Sequence, residues 1–302
     1  MNIDSTIQYI GRSLYKTHLL KERKRYIIFL IRCHLHRRKI ENLLEFFAKT
    51  TQREQMLLKS PSFVEQATRS FFYKKSTFSE RADIIKSHIG HLEALLKKEA
   101  LNRLYVKNES LKLWQDGNLS MELLFEAGQR KEGCLSLVLL MDSDGKQTKL
   151  YQIIFWFAAS FEDNAPSIYI GALQGLLDGA DIIKELTKAF HGYRTKNLIF
   201  YALRNVAKLL ACRHIYAVSN SGHYAMNNIR IDRKVKTSLD RFWEECEGVR
   251  CRDKRFYKIP IEERRKGEEE LKSQKRSQYR KRFHILDEMS KEIEKNLNAL
   301  KS

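Results

Sequence analysis

Proline is scarce in this sequence, with three residues in 302. That excludes proline-rich spacers and stiff interdomain linkers. Long apolar runs are also missing. The longest, Tyr26 to Ile31 and Ile153 to Ala159, fall far short of the ~18 residues of a membrane-spanning helix. The beginning, Met1-Asn2-Ile3-Asp4-Ser5, leads into no continuous apolar stretch, because Lys16, Lys21, Arg23, Lys24 and Arg25 interrupt it. A secretory signal is therefore not expected, and the chain reads as cytoplasmic. Cysteines are few and odd in number: Cys33, Cys134, Cys212, Cys246 and Cys251. This is no disulfide scaffold, and Cys246 and Cys251 have no second pair to make a zinc site. Walker loop, GxGxxG, HExxH, EF-hand and G-x-S-x-G patterns are all absent, and so are zinc-finger, RNP and clear helix-turn-helix patterns.

What is present is apolar content and positive charge. The chain is 43% hydrophobic, enough for a large core and too much for a disordered protein. It carries 56 Lys and Arg against 37 Asp and Glu, a net +19. Residues 1–40 alone hold +8 and residues 252–302 hold +6, which leaves +5 for everything between. The excess calls for an anionic partner, and it sits at the two ends.

Both ends read as helices. Ile3, Ile7, Ile10 and Leu14 recur at helical spacing, with Asp4 or Ser5 as the cap. Arg23 to Lys39 follows with Ile27, Ile28, Ile31 and Leu35 on one face and Arg32, His36 and Arg38 on the other. At the far end Leu286, Met289, Ile293, Leu297 and Leu300 make a long stripe, preceded by Arg276, Arg280 and Arg282. These three arginines are the anion-binding candidates, and basic amphipathic helices suit an anionic lipid surface. The plainer reading is a solvated outer face on packed helices.

Residues 41–105 also read as helical, with Thr77 and Glu80 as a capping box. His88 and His91 lie three apart there, close enough to share a metal. Nothing nearby completes a ligand set, so no metal is expected and they read as ordinary helix surface. The pattern changes at residue 109. Strand-like runs at 110–115, 119–125, 134–141, 150–159 and 167–172 are punctuated by Asp116-Gly117 and Asp144-Gly145. Helical segments at 178–190 and 195–211 follow, the second with Thr195 as its cap, and then a strand at 214–218. The expected fold is a mixed α/β, largely antiparallel sheet with one βαβ crossover. The chain divides into a basic helical region (1–105), the α/β domain (106–261) and a basic C-terminal helix packed on it (262–302).

The crossover selects a candidate site. Ligands of open α/β sheets bind beyond the carboxyl ends of parallel strands. Here those ends are Gly171-Ala172-Leu173-Gln174-Gly175 and Ser219-Asn220-Ser221-Gly222-His223. Gln174, Gly175, Ser219 and Asn220 are the substrate-binding candidates, by side-chain polarity and close backbone approach. His223 and Glu244 are the catalytic candidates, as proton carriers. Asp178 is a further carboxylate. The competing reading is that Ser-Asn-Ser-Gly is turn chemistry with no other role, and that Trp243, beside Glu244, anchors a loop in the core.

Several stretches resemble the VirK/YbjX family of Gram-negative bacterial proteins. They are Gly171 to Gly175, Thr187-Lys188-Ala189-Phe190-His191-Gly192, Ala217 to His223, Phe242-Trp243-Glu244-Glu245, Phe256-Tyr257-Lys258-Ile259-Pro260 and Lys275 to Phe283. Together they cover about 171–287. The family favours Gly-Gly after its Trp-Glu segment, where this chain has Glu247-Gly248. The resemblance implies a virulence-associated protein linked to envelope remodelling, surface presentation of virulence factors and tolerance of cationic antimicrobial peptides. It supplies no catalytic residue.

Three functions follow. One is an enzyme on an envelope precursor, because the order of elements is similar to that of acyl-CoA N-acyltransferases. Acyl-CoA would then be the cosubstrate, although no glycine-rich phosphate loop is clear. The second is an adaptor or chaperone-like factor, peripheral at the inner membrane, binding its anionic face or an exported virulence protein. An RNA-binding regulator ranks third.

Overall fold

The computed structural model describes residues 3–227 and 238–302. Seven helices come first: α1 (Ile3–Leu14), α2 (Leu20–Leu35), α3 (Arg37–Ala48), α4 (Thr51–Lys59), α5 (Ser62–Thr68), α6 (Phe78–Leu95) and α7 (Lys98–Tyr105). The expected capping box opens α6: the Thr77 amide donates to Glu80 and the Glu80 amide to the Thr77 hydroxyl. Asp4 and Ser5 sit inside α1, and the Asp4 carboxylate pairs with Arg37 at 2.7 Å. The stretch 23–39 is broken at His36 into α2 and α3.

The strands are β1 (Leu111–Asp116), β2 (Leu119–Leu124), β3 (Leu135–Ser143), β4 (Lys146–Ala159), β5 (Pro166–Gly175), β6 (His214–Val218), β7 (Val249–Arg250) and β8 (Phe256–Ile259). They form one sheet in the order β1-β2-β3-β4-β5-β6-β8-β7. Asp144 and Gly145 turn β3 into β4 with φ of 53° and 79°, the left-handed pair that a two-residue hairpin needs. The crossover from β5 to β6 runs through α8 (Ala180–Ala189) and α9 (Thr195–Leu209). It leaves β5 and β6 parallel, as expected, and every other pairing is antiparallel. Thr195 is the first residue of α9, with Arg194 in the cap position. The short strands β7 and β8 carry no strong alternation and were not foreseen.

Helix α10 (Leu239–Glu245) follows β6, and α11 (Ser273–Leu300) closes the chain. The spacing foreseen for α11 holds: Leu286, Met289, Ile293 and Leu297 are buried against α9 and β1. Its end is tied to the start of α7, where the Lys97 amide donates to the Leu300 carbonyl and the Ser302 amide to that of Leu95. All five cysteines are free and buried. Trp243 is fully buried as expected, its indole N–H donating to the Val218 carbonyl at 3.0 Å.

His88 is not on a helix surface; it is fully buried. The strand β4 explains why. β3 begins at Leu135, opposite Phe155, so β4 runs on with open backbone groups on that side. The Phe157 amide donates to His88 Nδ1 at 3.2 Å. The ring hydrogen is therefore on Nε2 and bonds the Tyr105 hydroxyl at 2.7 Å. Burial pushes the His88 pKa down to about 3, so the ring is neutral.

Glu247 stands where the resemblance implies a glycine, and its φ is 63°. It ends α10 in a paired motif: Glu247 N donates to Glu244 O and Gly248 N to Trp243 O. A side chain there costs roughly 1 kcal/mol relative to glycine. Glu247→Gly is expected to raise stability by about 0.5–1 kcal/mol in urea titration; an unchanged or lower midpoint would count against the strain.

Candidate functional site

The parallel ladder of β5 and β6 ends at the pair Ile170 and Ala217. β5 continues to Gly175, still paired with β4 but no longer with β6. The parting coincides with a bulge. Ile154 faces Ala172 and Phe155 faces Ile170, which leaves Gly171 as the extra residue. Only glycine fits there, because a Cβ would stand 1.8 Å from the Glu132 carbonyl oxygen.

Gln174 and Gly175 therefore lie within β5, not beyond it. Counting along the strand from Gly171, Gln174 is roughly 10 Å further out than the end of β6. The turn after β6 holds the other candidates. Ser219 is fully buried; its hydroxyl donates to the Lys254 carbonyl at 2.9 Å and accepts from the Gly222 amide at 3.0 Å. Asn220 fastens α10: its Oδ1 accepts from the Leu239 amide and its Nδ2 donates to the Ser238 hydroxyl. Gly222 passes so close to the Arg255 backbone that a Cβ would meet that carbonyl oxygen at 2.3 Å.

The Nδ1 of His223 accepts from the Ala225 amide at 3.3 Å, which leaves Nε2 carrying the hydrogen. Burial lowers the His223 pKa to about 4. The ring is neutral, and among the described residues no hydrogen bond is made to its Nε2. Glu244 is exposed on α10 and accepts from the Tyr257 hydroxyl at 3.0 Å. So Ser219, Asn220 and His223 share one turn, while Gln174 and Glu244 have their own surroundings.

The space where β5 and β6 part is filled from the segment between α5 and α6. The Lys74 amide donates to the Gly222 carbonyl at 2.7 Å and the Phe72 amide to that of Lys131 at 2.8 Å, with Tyr73 bridging to His223. Gln66 Nε2 donates to the carbonyls of Arg130 and Gly133. Sequence reasoning missed the most perturbed carboxylate here. Glu132 is buried, and burial raises its pKa to about 7 despite a hydrogen bond from Tyr224 and the charge of Lys131. Tyr224 directly follows His223, and their rings are 4.8 Å apart. Glu132 sits in an irregular segment between β2 and β3, so no periodicity marks it.

The anion-binding candidates divide. Arg282 is spent on the fold: its Nη2 donates to the His191 carbonyl at 2.7 Å, and its guanidinium stacks on Tyr279 at 4.2 Å. Arg276 Nε donates to the Leu271 carbonyl at 3.4 Å, and Arg280 is exposed one turn further on. The helix α2 is different. Its inner face is Phe29 and Cys33, with Tyr26 and Leu30 packed behind. Its outer face holds Leu20 (85% exposed), Ile27 (48%), Ile31 (53%) and Leu35 (70%). Arg23 and Lys24 are exposed on the same side, and the one acid, Glu22, is paired with Arg25. Among the described residues no helix is long and apolar enough to cross a membrane.

Fold and edge define a mixed α/β protein with a bulged parallel pair, wrapped by basic helices. Residues 18–295 match the family described as "Protein of unknown function (DUF535)", and the chain belongs to it. The uncharacterised protein YbjX of Escherichia coli K12 is 28% identical over 241 residues, 77% of this chain and 71% of that protein. This agrees with the resemblance read from the motifs. An uncharacterised protein of Haemophilus influenzae is 24% identical over 264 residues, 86% of each chain. No solved structure matches.

Glu132 carries a pH dependence. Its folded pKa lies above the unfolded value near 4.5, so the stability it contributes is present below pH 4.5 and lost as pH rises through about 7. Glu132→Gln is expected to match wild type near pH 4 and to exceed it above pH 7, by on the order of 3 kcal/mol. Denaturant unfolding of both proteins across this range checks it; a difference constant with pH would contradict the burial argument.

Proposed function

We propose that this protein is a peripheral binding protein of an anionic membrane surface, supporting envelope maintenance as an adaptor, with α2 as its docking element. The observation that carries this is the exposed row Leu20, Ile27, Ile31 and Leu35 between cations. A soluble protein with a large core has no folding reason to leave four aliphatic side chains of one helix in water. Their separations, seven, four and four residues, place them in one stripe along the helix axis. Such a stripe inserts at the level of lipid headgroups, and the flanking Lys and Arg meet anionic phosphates. The filled edge at β5 and β6 agrees with an adaptor: the side chains of Ser219 and Asn220 have their hydrogen bonds made within the fold.

Binding to vesicles is the test. Wild type is expected to sediment with vesicles containing phosphatidylglycerol and to stay free with phosphatidylcholine alone. Ile27→Asp with Ile31→Asp should weaken binding at least about tenfold, since each buried aliphatic side chain is worth on the order of 1–2 kcal/mol. Lys21, Arg23 and Lys24 to Glu should also weaken it, more steeply at low salt. All five positions are exposed, so the fold should persist. Unchanged binding by the Asp variants would refute α2 as the docking element.

A second reading, acyl transfer on an envelope precursor, is supported by one observation: the parallel strands part at the Gly171 bulge, beside a carboxyl group with a pKa near 7. In that reading Glu132 and Tyr224 move the proton, and His223, in the turn with Ser219 and Asn220, stands beside them, while Gln174, Gly175 and Glu244 take no direct part. Its test is release of free thiol from an acyl-CoA. Turnover lost in Glu132→Gln supports it, and no thiol release from any chain length would exclude it.

A further inference from the structure

Next to the edge where β5 and β6 part, with Tyr73 as a shared wall, a pocket of about 320 Å³ opens between β4, β5 and β8 on one side and α6 on the other. Its walls are aromatic. Trp156 and Tyr169 stack at 5.5 Å with an interplanar angle of 9°. Tyr73 lies face-on to Trp156 at 6.3 Å and edge-on to Phe256 at 5.2 Å. Phe161 stands at the mouth, 47% exposed, within 6.4 Å of Tyr169 and 5.9 Å of Phe256. Four of these five rings are buried side chains, so the pocket is built by the fold and does not depend on mobile surface residues.

The charge around it runs against the rest of the molecule. On a chain of net +19, the pocket is lined by three carboxylates, Glu80, Asp83 and Asp253, and one cation, Arg255. Two of these acids are committed within the protein. Glu80 accepts from the Thr77 amide and from Tyr73, and Asp253 is held bidentate by Arg255. Asp83 is exposed on the α6 side and makes no ion pair among the described residues. The aromatic wall already takes a cation: the Arg255 guanidinium sits 4.7 Å from the Tyr73 ring centre.

We infer that this pocket is a binding site for an organic cation, an ammonium group carried on an apolar or aromatic body. Aromatic walls cover the apolar substituents of such a cation, and the acidic rim supplies the long-range attraction. An anion would meet three carboxylates. A neutral apolar ligand would leave the rim unused. The volume admits a small molecule or a single side chain, so the unit recognised is one cationic group.

Phenyltrimethylammonium and its neutral isostere tert-butylbenzene are the probes. They share a shape and differ only in charge. The expected result is saturable quenching of indole fluorescence by the cation in wild-type protein, lost in Trp156→Phe, with calorimetry giving the same affinity. The neutral isostere should bind at least about tenfold more weakly. Asp83→Asn and Phe161→Ala, both at exposed positions, should each weaken the cation about three- to tenfold while the circular dichroism spectrum stays unchanged. Equal affinity for both probes would reduce the site to an apolar cleft and overturn the proposal. So would an absence of saturable binding, or full affinity in both exposed variants.

Discussion

The parallel pair β5 and β6 stops hydrogen bonding at Ile170 and Ala217 while β5 continues, and the rest of the structure answers that mismatch. Segments distant in sequence gather where the strands part, and their backbone groups pair with one another. The amides of Phe72 and Lys74, in the segment between α5 and α6, donate to the carbonyls of Lys131, before β3, and Gly222, in the turn after β6. The bulge at Gly171 lets the Glu132 backbone pass through contact distance. The same packing buries Glu132 and Tyr224 and raises the pKa of both. The helical N-terminus is thus a structural part of the sheet's carboxyl edge, and its apolar residues join the same core as the strands.

That dependence explains how charge is arranged. Helices α5 and α6 have their inner faces committed to the sheet and its edge. Cations around them are spent on internal duties: Arg81 of α6 donates to the carbonyls of Ala67 and Ser76, and Arg69, just past α5, and Arg130, before β3, hold the buried Glu65. At the other end, Arg282 closes α8 through the His191 carbonyl. A basic residue in the sequence is therefore no measure of a basic surface. What α2 retains is different, because its cations stand beside aliphatic side chains that nothing in the fold covers.

Much of the fold was legible. Apolar runs and Asp-Gly turns placed β1 to β5, the helical stripe from Leu286 to Leu297 placed α11, and the crossover made β5 and β6 parallel. These signals are local, set by side-chain period and turn chemistry. The site was less legible. Ser219 and Asn220 have the residue types of a polar pocket, yet turn and capping chemistry uses the same groups, and only the partners tell them apart. Gln174 was placed past its strand because the length of β5 is set by pairing with β4. Glu132 gave no signal, since its character comes from burial and from contacts with residues distant in sequence, Gly171 and Tyr224 among them. His88 read as surface for the same reason: the open side of β4 is a tertiary fact. The aliphatic face of α2 was visible as periodicity, which does not say whether a stripe faces the core or the solvent.

What emerges is a basic α/β protein with a well-filled sheet edge, an acidic aromatic pocket in a cationic surface, and one helix whose outer face is unsuited to water. The central claim is that this face enters a lipid surface. All five native cysteines are buried, so a cysteine introduced at Ile31 can be labelled selectively with an environment-sensitive fluorophore. On anionic vesicles the account predicts a blue-shifted, brighter emission that is shielded from an aqueous quencher, with neither change on neutral vesicles. Emission that keeps its aqueous position and full quencher access while the protein is vesicle-bound would contradict it.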